Sequence, residues 1–104
     1  MPFHFFARFE PLPGMESAFR DELLRVIAPS REEAGCLGIE VFEALREPLF
    51  AIHSQWLDEA AFELHAQLPH TVRFLEVAGR LLSHPVKGMR LRLIAGGGGA
   101  GALE

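Results

Sequence analysis

The sequence predicts one α+β domain of the ferredoxin-like kind, βαββαβ, with a single antiparallel sheet and its helices on one face. Three observations carry this. Apolar residues alternate with period two near both ends of the chain, apolar spacings of three and four follow the first and third strands, and a proline-marked turn joins two β-rich segments between them. The 104 residues suffice for one core and one domain.

The first strand puts Phe3, Phe5, Ala7 and Phe9 on an apolar side and His4, Phe6, Arg8 and Glu10 on a mixed one. Pro11-Leu12-Pro13-Gly14 stops it. Met15, Phe19, Leu23, Val26 and Ile27 then mark an amphipathic helix that Pro29 is expected to end, with Ser30 to Gly35 as a solvated loop. Cys36 to Arg46 alternates again, placing Leu37, Ile39 and Val41 together, and Glu47-Pro48 turns the chain into a second strand over Leu49 to Leu57, so the two form a hairpin. Asp58 stands where an N-cap belongs, ahead of a helix carrying Ala60, Ala61, Leu64 and Leu68 that Pro69 interrupts and that resumes around Thr71. The last strand sets Met89, Leu91 and Leu93 opposite Arg90 and Arg92. The domain is expected to span residues 1–95. Residues 96–104 form a Gly-rich, flexible tail, with Leu103-Glu104 read as a vector-derived remnant.

Composition narrows the function. The chain is 49% hydrophobic, with a mean hydropathy of +0.16, which is more apolar side chain than one small core hides; a subunit interface is the expected destination of the excess. With the strands aligned by their alternation, the helix-free sheet face carries Arg8, Glu10, Glu40, His53, Gln55, Arg90 and Arg92 among Phe6, Phe42, Ala51, Leu57 and Ile94. That mixture suits a partner sheet and predicts a homodimer. The net charge of −4, without a basic run, argues against nucleic acid and anionic membrane as partners. A lone cysteine provides no intramolecular disulfide or thiolate zinc site, no apolar run is long enough to span a membrane, and no signal peptide is visible, so a cytoplasmic location is expected. The chain is also too short for a Rossmann unit beside a substrate domain. It contains no tyrosine and no asparagine.

Five histidines are the main groups able to exchange protons near neutrality. His65 and His70 lie five apart around the break at Pro69, so they do not share a helix face as a metal pair at i, i+4 would, and the spacing assigns no metal. His65 reads either as a buried histidine bonded to a carbonyl or as a ligand contact. His53 and Gln55 read as a polar interface pair, Gln55 also being able to orient a carbonyl or hydroxyl. Trp56 suits the core or a flat wall for an aromatic ligand. Arg73 is a surface charge unless it turns inward to steady an anion. Cys36 has no sequence-adjacent base and reads as a small buried strand residue.

The segments Glu33-Ala34-Gly35-Cys36-Leu37, Gln55-Trp56-Leu57-Asp58-Glu59-Ala60-Ala61 and His65-Ala66-Gln67-Leu68-Pro69-His70, with Phe74, together resemble the antibiotic biosynthesis monooxygenase family over roughly residues 3 to 94. The resemblance implies a dimeric α/β barrel with a pocket between sheet and helices, and an activity among cofactor-independent oxygenases of quinols, phenols and polyketide-like aromatics. Ala34 stands where the family usually has proline and Gln55 where it has glutamate. Without Tyr and Asn, only Trp56, His65 and His70 carry over as pocket residues. The resulting expectation is that the substrate is deprotonated by His65 or His70 and reacts directly with O2, with no cofactor. Trp56 and Phe74 would wall the ring, with His53, Gln55 and Arg73 as further binding candidates. The alternatives are a small-molecule isomerase of the same fold, and a non-catalytic dimeric module that binds a metabolite in a stress response.

Overall fold

The computed structural model describes residues 1–102. It orders them as β1 (Phe3–Phe9), α1 (Glu16–Arg31), β2 (Cys36–Glu43), β3 (Phe50–Trp56), α2 (Glu59–Ala66), α3 (Pro69–Leu81) and β4 (Lys87–Leu91), followed by a 3-10 turn at Ala100–Ala102. The remnant read at Leu103-Glu104 lies outside the described residues. The four strands form one antiparallel sheet in the order β2-β3-β1-β4, which is the ferredoxin-like α+β arrangement. No helix among the described residues is long and apolar enough to cross a membrane.

Alternation in β1 sends Ala7 and Phe9 into the core, where they meet Phe19, Leu23, Val26 and Ile27 of α1 and Phe74 and Ala78 of α3. Phe9, Phe19, Phe50 and Phe74 form an aromatic chain, with ring centroids 5.1–6.1 Å apart. Such pairs add about 0.5–1.5 kcal/mol each beyond the area they bury. Backbone bonds from Leu12 N–H to Leu81 O (2.8 Å) and from Ser83 N–H to Glu10 O (2.8 Å) tie the end of β1 to the end of α3. Asp58 caps α2 by accepting the Ala61 N–H at 2.9 Å, as the sequence predicts; such a cap contributes typically ~1 kcal/mol.

The structure departs from the sequence reading in four places. Pro29 does not end α1, which runs on to Arg31. Proline takes away one backbone donor, but Ser30, 2% exposed, donates its hydroxyl to Val26 O at 2.8 Å and keeps the last turn closed. Pro69 separates two helices instead of breaking one, and sits in the first turn of α3, where its missing N–H costs nothing. A register shift between Cys36 and Gly38 turns Leu37 outward, so Cys36 takes its place against the core. Finally, β4 has the opposite phase. Arg90 lies opposite the core-facing Phe5 and bonds Glu59 and Glu63 of α2, which leaves Met89 and Leu91 on the helix-free face.

One glycine positions the site directly. A Cβ at Gly35 would meet Ala61 Cβ at 2.6 Å, so only glycine lets the segment before β2 lie this close to α2. Leu57 N–H bonds Gly35 O at 2.9 Å and fixes that approach.

Candidate active site

A cavity of about 160 Å³ lies between the sheet and the three helices. Phe5, Phe9 and Ile52 form its sheet wall, Leu23 and Ile27 come from α1, and Phe62 and Phe74 close it from α2 and α3. Its few polar side chains are Ser30, Ser54, Trp56, His65 and Thr71. Few polar groups among many apolar ones is the usual make-up of a small-molecule site.

His65 leaves the last turn of α2 and His70 the first turn of α3, while Glu33 comes from the segment between α1 and β2. The three meet at one oxygen. Glu33 Oε2 accepts from His65 Nδ1–H at 2.9 Å and from His70 Nε2–H at 2.7 Å. Thr71 Oγ1 stands 3.4 Å from the same His65 nitrogen. The side chains of Glu33, His65 and His70 are 13%, 16% and 26% exposed, so the cluster leads from the cavity wall toward solvent. A histidine whose Nδ1–H is held by a carboxylate keeps Nε2 as the basic nitrogen. No partner among the described residues takes His65 Nε2.

Trp56 ends β3 fully buried, tilted against His65 with ring centroids 4.5 Å apart and edge-on to Phe62 at 6.1 Å. Its indole Nε1 is a buried donor with no hydrogen-bond partner among the described residues. Buried indole N–H groups normally find an acceptor. Trp56 also lines the cavity.

The structure therefore brings together His65, His70, Trp56 and Phe74, but not the other candidates. His53 lies on the helix-free face, where its ring stacks on His4 and a single hydrogen bond of 2.8 Å joins His53 Nε2 and His4 Nδ1. Gln55 alternates with buried Ser54 and Trp56 and faces the same way as His53, away from the cavity. Arg73 is about half exposed and donates to Glu22 Oε1 of α1 at 2.8 Å; this bond holds the Glu22 carboxyl below its ordinary range. Cys36 is a poor nucleophile, because burial pushes its thiol up and the nearby Glu33 charge pushes it further, against an opposing hydrogen bond from the Gly38 backbone.

As the spacing implies, the two histidines share no helix face, since they stand on α2 and α3; they meet nonetheless through tertiary structure. Pro69 begins a new helix, and the rings on either side of this break both reach Glu33. Glu33 itself escaped the sequence reading, which placed it in a solvated loop. No local signal marks it, because the close packing at Gly35 and the two imidazole partners that single it out arise only in the folded chain.

The family model for antibiotic biosynthesis monooxygenases matches residues 2–77. The chain is 31% identical over 80 residues to "Putative monooxygenase Rv0793" of Mycobacterium tuberculosis, covering 77% of this chain and 79% of that protein. The structure of Rv0793 superposes with a TM-score of 0.88 at 28% identity, over 94% of this chain and 100% of that one. PA3566 of Pseudomonas aeruginosa superposes with a TM-score of 0.84 at 36% identity, over 90% and 95% of the two chains. With the sheet order, the cavity between sheet and helices, and Trp56 and the two histidines beside it, these likenesses establish that the chain belongs to the antibiotic biosynthesis monooxygenase family.

Proposed function

We propose that this chain is a cofactor-independent monooxygenase of a small phenol, quinol or related aromatic. The observation that carries the reading is the pairing, on one apolar cavity, of a histidine oriented by a partly buried carboxylate with an indole N–H that has no partner among the described residues. His65 Nε2 takes the substrate's hydroxyl proton, and Trp56 Nε1–H donates to the resulting oxyanion. Glu33 acts through His65 as a positioning residue, and Phe74 and Phe62 confine the ring. The electron-rich anion passes one electron to O2, the two radicals recombine as a hydroperoxide, and loss of water leaves a carbonyl. For a simple phenol, one molecule of phenol and one of O2 give one benzoquinone and one water, so the substrate itself supplies the electrons. An apolar wall shields the anion and the oxygen species from water.

Size narrows the substrate. Apolar cavities of about 150 Å³ take up benzene, so the 160 Å³ cavity favours a single ring over a fused polyketide. The test is oxygen uptake with a single-ring quinol or phenol, in EDTA-treated buffer without flavin or nicotinamide, with ¹⁸O2 tracing into product. Saturable uptake above the spontaneous rate is the expected result. A rate no faster than buffer overturns the reading, and a ligand retained in native mass spectrometry without turnover would favour the metabolite-binding module instead.

The same reading includes a homodimer through the helix-free sheet face. Phe42, Met89 and Leu91 are 42–53% exposed there, around the stacked His4 and His53 rings. With β4 in its observed phase this face is more apolar than the sequence suggested, which favours a partner sheet. Sedimentation at micromolar concentration should give twice the 11.6 kDa chain mass, and Met89→Asp should shift it to monomer. A monomeric wild-type protein rules the dimer out.

A further inference from the structure

We infer that Glu33, His65 and His70 form a binding site for one divalent first-row transition cation per chain. Their donor atoms, Glu33 Oε2, His65 Nδ1 and His70 Nε2, all lie within 4.8 Å of one another and come from three separate parts of the fold. The inference goes beyond the proposed reaction, in which these groups carry only protons.

The chemistry of the set is specific. Two imidazoles and one carboxylate are the donors of catalytic zinc sites and of non-haem iron sites, which keep positions open for water or substrate. Metal–nitrogen and metal–oxygen bonds of about 2.0–2.2 Å meeting at the tetrahedral angle zinc prefers separate ligand atoms by about 3.4 Å. The oxygen-to-nitrogen separations of 2.7 and 2.9 Å need to widen by roughly half an ångström or a little more to accept such an ion. All three side chains are partly exposed, which gives a hydrated cation a way in. The two protons that now bridge the cluster would shift to the far nitrogen of each ring as the ion enters, because a metal needs the lone pairs of His65 Nδ1 and His70 Nε2.

The exchange has a consequence for His65. With a metal on Nδ1, its proton moves to Nε2, and the ring can no longer take a proton from a molecule in the cavity. Occupancy and base catalysis by His65 therefore exclude one another.

Zn²⁺ is the probe, being redox-inert. EDTA-treated, buffer-exchanged protein is titrated with Zn²⁺ by calorimetry and by competition with a chromophoric chelator. The expected result is one Zn²⁺ per chain, with affinity at least about 10-fold weaker in Glu33→Gln and in His70→Ala. It should be unchanged in His53→Ala, which removes the stacked His4 and His53 pair as a rival site. Zn²⁺ should also raise the melting temperature of the wild type and of His53→Ala, but not of Glu33→Gln, provided each variant shows a cooperative melt. Absence of binding at micromolar Zn²⁺, binding indifferent to Glu33 and His70, or binding lost with His53 each overturns the site. Stoichiometry is read without turnover, so the site stands or falls apart from the reaction. Uptake of O2 by the EDTA-treated protein, stopped by Zn²⁺, would support both proposals. Uptake that requires Fe²⁺ would keep the site and remove cofactor independence.

Discussion

His65→Gln is expected to lower kcat for oxygen uptake by on the order of 10²- to 10⁴-fold, the usual worth of a positioned general base. Glutamine can still donate an amide N–H toward Glu33, so the carboxylate keeps two donors and the variant should fold. What it lacks is the lone pair on the far side of the ring. KM should change little, because the apolar walls that hold the substrate are untouched. His70→Ala is expected to cost no more than about 10-fold in kcat, since His70 acts on Glu33 and is absent from the cavity wall. Initial-rate oxygen electrode measurements over a range of substrate concentrations separate the two. A wild-type kcat in His65→Gln, or an equal loss in His70→Ala, would move the base to His70 or away from both.

How far this arrangement was legible in the sequence depends on whether a signal was local. The alternation of Phe3, Phe5, Ala7 and Phe9 is a property of neighbouring residues, and β1 buries that side as read. Asp58 caps the helix it precedes for the same reason. The phase of β4 was misread because both faces of the sheet are partly apolar. Arg90 looked like a solvent-side charge, but it is satisfied by Glu59 and Glu63 from a helix about thirty residues away. The bulge that turns Leu37 outward likewise leaves no mark in a period-two pattern. Glu33 is the clearest case. Nothing in its immediate neighbours distinguishes it from Glu32, which is exposed, and only the return of α2 and α3 past the Gly35 segment gives it two imidazole partners. Family resemblance pointed to the histidines and the tryptophan; the carboxylate that bonds both histidines emerges only from tertiary structure.

Trp56 is expected to separate binding from stability through two substitutions. Trp56→Ala removes the largest fully buried side chain and empties space that Phe62 and His65 now pack against. Truncations of this kind cost about 3–5 kcal/mol, against a total stability of about 5–15 kcal/mol for a typical domain. Each kcal/mol lowers the melting temperature by about 4–8 °C at this chain length, so the alanine variant should melt far below the wild type. Trp56→Phe should behave differently. The smaller ring leaves a void, but the variant also removes a buried donor whose lack of a partner costs about 1–3 kcal/mol. These effects oppose one another, and the fold should hold to within about 2 kcal/mol. Binding of the deprotonated substrate should weaken by roughly 10- to 150-fold, the worth of one hydrogen bond to a charged acceptor. Thermal melts and KM for oxygen uptake, read on both variants, give the test. If Trp56→Phe binds as tightly as the wild type, the indole N–H does not meet the substrate oxygen, and the orientation of the ring in the cavity must come from His65 alone.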